Sequence, residues 1–163
     1  MFLVLLKALA EHNVEYILIG GMAGVLHGSA RLTQDIDILY RRTPENVQRL
    51  VEALAPYQPY LRDAPPGLPF VWEVRTVWRG LNFTLQTSEG YIDLWGEVPG
   101  GRTYEDLINH TVLANIGEVS IRVVDLPTLI RLKRATGRAK DLESIAELEA
   151  LLEESQDKNL PPP

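Results

Sequence analysis

Two carboxylates, Asp35 and Asp37, stand two residues apart in the apolar run Asp35-Ile36-Asp37-Ile38-Leu39-Tyr40, thirteen residues after Ile19-Gly20-Gly21. Residues two apart on a strand point to the same face, so a strand here sets both carboxylates on one side and Ile36 and Ile38 on the other. Like charges held that close repel unless a cation stands between them, and a divalent metal does this most effectively. The glycine pair closes a second apolar run, Tyr16-Ile17-Leu18-Ile19, and Met22-Ala23-Gly24-Val25-Leu26-His27 reads as the start of a helix. At such a strand-to-helix turn backbone N–H groups can face an anion, and glycine lets that anion come close. A phosphate cradle followed by a metal-binding carboxylate pair describes a nucleotide site.

These residues resemble the signature of the DNA polymerase beta-like nucleotidyltransferase superfamily: an apolar residue, Gly-Gly or Gly-Ser, a spacer, then an apolar-flanked Asp-x-Asp. The resemblance implies a third carboxylate on a later strand. Tyr91-Ile92-Asp93-Leu94-Trp95 makes Asp93 the candidate, with Glu73 on an earlier segment as its competitor. Within the superfamily, the stretches Arg31-Leu32-Thr33-Gln34-Asp35-Ile36-Asp37, Asp93-Leu94-Trp95-Gly96-Glu97-Val98-Pro99-Gly100 and 133–141 look like the small bacterial and archaeal branch. That branch includes AbiEii-type toxins and minimal nucleotidyltransferases, and the resemblance covers roughly residues 15–145.

The resemblance implies a definite chemistry: transfer of a nucleoside monophosphate from an NTP to a hydroxyl acceptor, with release of pyrophosphate. Two Mg²⁺ ions would be held by Asp35 and Asp37, and Asp93 would complete the second ion's shell and take the hydroxyl proton. Gly20 and Gly21 would admit the β- and γ-phosphates, and Arg31, Thr33, Lys133 and Lys140 would contact the triphosphate. The acceptor is left open among tRNA, a protein and a small molecule. A toxin role would bring an antitoxin partner. The alternative is a catalytically silent antitoxin or partner-binding module on the same fold.

Taken singly, each part has a plainer reading. Gly-Gly is often a tight turn, Asp35 and Asp37 could face solvent on an edge strand, and a lone Asp93 suits any polar strand face. Arg31 and Thr33 could simply end a loop. Arg131, Lys133, Arg134, Arg138 and Lys140 could be a solvated helix face, favoured near a helix C-terminus in any case. Trp72, Trp78 and Trp95 are more readily core than base-stacking residues. His12, His27 and His110 have no metal-ligand spacing. It is the glycine pair and the carboxylate pair together, at this spacing, that point to a nucleotide.

These residues need a scaffold, and 163 residues are enough for one domain with a real core, expected over 1–155. The remainder, 156–163, ends in three prolines and is expected to be disordered. No apolar stretch is long enough to span a bilayer, and Phe2, Leu5, Leu6 and Leu9 follow helical spacing rather than a signal peptide, so a cytoplasmic location is expected. The absence of cysteine excludes disulfides and thiol catalysis. A net charge of −6 argues against a surface that coats nucleic acid, though a local basic patch could hold a phosphate or a tRNA end.

The pattern predicts an α+β protein, a nucleotidyltransferase fold with a small mixed β-sheet flanked by helices. Thr43-Pro44 starts a helix with Val47, Leu50, Val51 and Leu54 inward. Five prolines make 56–69 a loop. Strands are expected at 71–78, 81–87 and around Asp93, a short helix at 103–110, and a hairpin turning at Ile116-Gly117. Two helices close the chain, one from Asp125 to near Gly137 and one over 140–154 with Leu142, Ile145, Leu148 and Leu152 on one side.

Overall fold

A computed structural model describes residues 2–158. The elements run α1 (Phe2–Glu11), β1 (Tyr16–Ile19), α2 (Gly20–Leu26), β2 (Asp35–Tyr40), α3 (Pro44–Leu54), a 3₁₀ turn (Ala55–Tyr57) and β3 (Tyr60–Leu61). They continue with α4 (Val74–Arg79), β4 (Phe83–Thr87), β5 (Gly90–Trp95), α5 (Tyr104–Leu107), a second 3₁₀ turn (Ile108–His110), β6 (Thr111–Ile116), β7 (Val119–Val124), α6 (Leu126–Thr136) and α7 (Lys140–Lys158). The strands form one seven-stranded mixed sheet in the order β3-β4-β5-β2-β1-β7-β6. The pairs β2–β5 and β1–β7 are parallel and the rest antiparallel. This is the mixed sheet with flanking helices expected from the sequence.

The centre of the sheet is where the sequence is most apolar. All four residues of β1 are buried, as a strand covered on both faces requires. In β2, Ile36, Ile38, Leu39 and Tyr40 are fully buried, while Asp35 and Asp37 remain only half-buried on the alternate positions. The helices start and stop where capping chemistry says they should. Thr43 Oγ1 accepts from Asn46 N at the head of α3, Asp125 accepts from Thr128 N at 2.9 Å at the head of α6, and Gly137, at φ +65°, ends α6 in the left-handed region.

Four details depart from the sequence expectation. Residues 71–78 do not form a strand: Val74–Arg79 is the helix α4. Val71, Val74, Thr76 and Val77 favour strands by composition, but Val74 and Val77 are three apart and both turn to the core, which is helical spacing. Gly80 stops that helix where a Cβ would lie 2.4 Å from the Phe83 ring. Second, the proline-rich segment holds a two-residue edge strand, β3, paired with β4. Third, Leu142 is 68% exposed, and Asp141 takes the inward position on α7, hydrogen-bonded to Thr136 and Arg138. Finally, α7 runs on to Lys158, past the expected boundary at 155, and the rest of the tail, 159–163, lies outside the described residues.

Candidate active site

The parallel register of β2 on β5 builds the site. It sets Asp37 directly opposite Asp93 and Asp35 opposite Tyr91, while on the other side Ile19, the last residue of β1, pairs with Asp37. Three carboxylates from two neighbouring strands therefore share one face at one end of the sheet. They open on a cleft of about 520 Å³ whose lining includes Gly20, Gly21, Trp95, Val98, Leu132 and Lys133.

The electrostatics follow from crowding. The Asp37 carboxyl is pushed up from 3.8 to about 7, first by burial and then by the negative charges of Asp93 and Asp35. A hydrogen bond donated by Trp95 Nε1 to Asp37 Oδ1, 3.3 Å, acts in the opposite direction. Asp93 is also raised, again by burial first, with the Arg62 guanidinium opposing and Asp35 reinforcing.

Gly20 is needed here for a reason beyond phosphate access. It sits at φ +74°, and a Cβ on it would lie 2.4 Å from Asp37 Oδ2. The glycine thus makes room for the carboxylate itself. A Cβ on Gly21 would lie 3.0 Å from Thr33 Oγ1, so the turn packs closely against the loop that precedes β2.

The other residues singled out in the sequence divide into those at the cleft and those turned elsewhere. Lys133, in the last turn of α6, lines the cleft and has no ion-pair partner among the described residues. Thr33 donates its hydroxyl to Asp35 O at 3.1 Å, tying down the start of β2. Arg31 lies against α7, 3.5 Å from Glu143 and 3.6 Å from Glu147. Lys140 begins α7, and its side chain lies outside the described residues. Of the remaining basic residues, Arg134 pairs with Glu149 and Arg138 with Asp141, although Arg138 also reaches the cleft. Glu73 precedes α4 and does not line the cleft.

Two residues at this site were not read from the sequence as such. Trp95 packs against the core, as strand aromatics commonly do, and its indole N–H also donates to Asp37. The second is Arg62. It directly follows β3, with Nη2 at 2.9 Å from Asp93 Oδ1 and Nη1 at 3.5 Å from Asp35 Oδ2. No motif marks it, because its closeness to Asp93 depends on how the edge strand pairs.

The donor set fits a hard divalent cation at Asp35 and Asp37: carboxylate oxygens on one face, one of them raised by burial and by neighbouring like charge. Among the described residues, no three carboxylate or imidazole groups are gathered as a ligand set. The charge beside Asp93 is already met by Arg62.

No family model matches the chain, and no curated protein matches it in sequence. Solved structures do resemble it. A Thermotoga maritima protein provisionally classed as a nucleotidyltransferase aligns over 90% of this chain and 88% of its own, with a TM-score of 0.56 and 14% identity. The lincosamide antibiotic adenylyltransferase LnuA, solved with lincomycin bound, aligns over 92% of this chain and 95% of its own, with a TM-score of 0.60 and 17% identity. At these identities the likeness establishes the fold, which is that of the nucleotidyltransferases.

Proposed function

We propose that this chain is a metal-dependent nucleotidyltransferase that moves a nucleoside monophosphate from an NTP to a hydroxyl acceptor. One observation carries the reading: Asp35, Asp37 and Asp93 converge on a cleft that also presents Gly20, Gly21 and Lys133, a lysine with no ion pair among the described residues. Carboxylates for a cation, a side-chain-free turn and a free ammonium are what a magnesium–triphosphate substrate needs at close range.

Asp35 and Asp37 would hold a divalent ion, Mg²⁺ being the expected one, which when bound neutralises phosphate charge and makes the acceptor hydroxyl more acidic. Gly20 and Gly21 leave the turn open for the phosphates, and Lys133 offers its charge to them from the facing helix. Arg31 can join only by leaving Glu143 and Glu147, so it is secondary in this reading. The acceptor oxygen attacks the α-phosphorus, the bond to the β-phosphate's bridging oxygen breaks, and pyrophosphate leaves with that electron pair. The hydroxyl proton passes to Asp93, whose basicity is raised by burial while Arg62 fixes its Oδ1. Val98, Pro99, Leu129 and Leu132 supply an apolar flank for the nucleobase or the body of the acceptor.

The test is transfer of label. The protein is incubated with each α-³²P-labelled NTP, Mg²⁺ and total cell extract, and the extract is fractionated into RNA, protein and small molecules. Label in one fraction, absent with EDTA and with Asp37→Ala, is the expected result. Label in tRNA or protein supports an AbiEii-type toxin and, with it, an antitoxin partner. Label in a small molecule places the chain with enzymes that modify metabolites or antibiotics. Nucleotide bound without any transfer would favour a catalytically silent partner-binding module.

A further inference from the structure

We propose that Arg62 is a resident cation of the carboxylate cluster, standing beside Asp93 where a second divalent ion would otherwise be needed, so that the site takes a single ion at Asp35 and Asp37. The inference rests on the nucleotidyltransferase reading above, since it concerns how that site balances its charge.

The sheet register brings Arg62 there. Leu61 pairs with Leu85, and the Arg62 backbone N–H donates to Thr84 O at 3.0 Å, continuing the ladder. Thr84 pairs with Asp93, Asp93 with Asp37, and Asp37 with Ile19. Arg62, Asp93 and Asp37 thus belong to one row across four strands, and neighbours along such a row present side chains to the same face. The guanidinium then reaches back along that row to the carboxylates.

Its environment holds it in place. Nη2 donates to Leu85 O at 2.7 Å, and the guanidinium carbon lies 4.3 Å from the centroid of the Tyr91 ring. Only 11% of the side chain is exposed. A surface arginine that met Asp93 by chance would not also have a backbone acceptor, an aromatic platform and a second carboxylate, Asp35 at 3.5 Å. An arginine stays charged at any physiological pH, unlike a lysine in the same burial.

Charge points the same way. Arg62 already offsets one of the three carboxylates, and a single divalent ion matches the two that remain, Asp35 and Asp37. Arg62 and a second ion would also compete for the same oxygens of Asp93 and Asp35. Arg62 is therefore a positioning residue: it holds Asp93 for the acceptor without consuming a metal.

The experiment counts ions on the metal-free full-length protein, titrating Mn²⁺ and following loss of the free-ion electron paramagnetic resonance signal. The proposal expects one tightly bound ion per chain in the parent and two in Arg62→Gln. In the Arg62→Gln background, Asp93→Asn should remove the second ion. Two tight ions in the parent would overturn the proposal on folded, unmodified protein, whatever Arg62→Gln does to the fold. A folded Arg62→Gln that still binds one ion would overturn it as well, leaving Arg62 a strand anchor only. No tight ion in the parent would sink the nucleotidyltransferase reading itself, a result distinct from either.

Discussion

Replacing Asp37 by asparagine should stabilise the metal-free protein while removing its response to metal. In the folded chain the Asp37 carboxyl is pushed up from 3.8 to about 7 by burial and by Asp93 and Asp35. Between those values the native state keeps a proton that the unfolded chain has released, so the contribution of Asp37 to stability is fully present below pH 4 and is lost as pH rises through about 7. At about 1.4 kcal/mol for each tenfold change in acidity, the full cost at pH 8 is about 4 kcal/mol. Asp37 is only half-buried and water reaches part of the cleft, so about half of that, roughly 2 kcal/mol, is the working figure. The asparagine side chain has nearly the same shape, and its amide oxygen can still accept from Trp95 Nε1, so little else changes. For a chain of this size the gain corresponds to a rise in Tm of roughly 4–8 °C. Differential scanning calorimetry in EDTA at pH 8 should show that rise, and at pH 4 the two proteins should melt within about 2 °C of each other. Added Mg²⁺ should stabilise the parent and not the variant. An unchanged or lower Tm for Asp37→Asn in EDTA at pH 8 would refute the argument, because the cost of burying that charge beside Asp93 and Asp35 would not exist.

Four further substitutions probe the other parts. Gly20→Ala should cost roughly 1–2 kcal/mol for the left-handed backbone alone, and because its Cβ would strike Asp37 it should also weaken Mn²⁺ binding at least tenfold, measured by calorimetry. Lys133→Ala should leave thermal stability unchanged and weaken NTP binding by about 10- to 100-fold, the scale of one charge-assisted contact, and equal affinity would remove Lys133 from the site. Asp93→Asn should retain most NTP binding yet lose transfer by about 10²-fold in a single-turnover assay, the scale of one general-base contribution. Glu73→Gln should do neither, and a collapse there would move the base off Asp93.

The parts legible in the sequence were those whose neighbours in the chain are also their neighbours in space. Asp35 and Asp37 alternate with Ile36 and Ile38, Thr43 and Asp125 cap the helices they precede, and Gly117 and Gly137 turn the chain at positive φ. Each is a local statement about one strand, cap or turn. Residues 71–78 misled because valine and threonine carry strand propensity, whereas the three-residue spacing of Val74 and Val77 against the core decided the outcome. Leu142 misled in the opposite sense: Asp141 holds the inward position through Thr136 and Arg138, partners that composition does not reveal. Arg62 was beyond reach for a deeper reason. Its place beside Asp93 depends on β3 pairing with β4 and β4 with β5, two non-local registers in a segment that prolines mark as loop. Trp95 likewise holds Asp37 across the β2–β5 ladder, a contact between residues 58 apart in the chain.

Calorimetric titration of an NTP into the protein, with Mg²⁺ and then with EDTA, addresses the central claim that Asp35, Asp37 and the Gly20–Gly21 turn form a metal-dependent nucleotide site. The account predicts saturable binding with Mg²⁺, loss of at least about 1.4 kcal/mol, or tenfold in affinity, in EDTA, and a comparable loss in Asp37→Ala even when Mg²⁺ is present. Binding that is indifferent to Mg²⁺ and to Asp37→Ala, or no binding of any of the four NTPs by the folded parent, would contradict it.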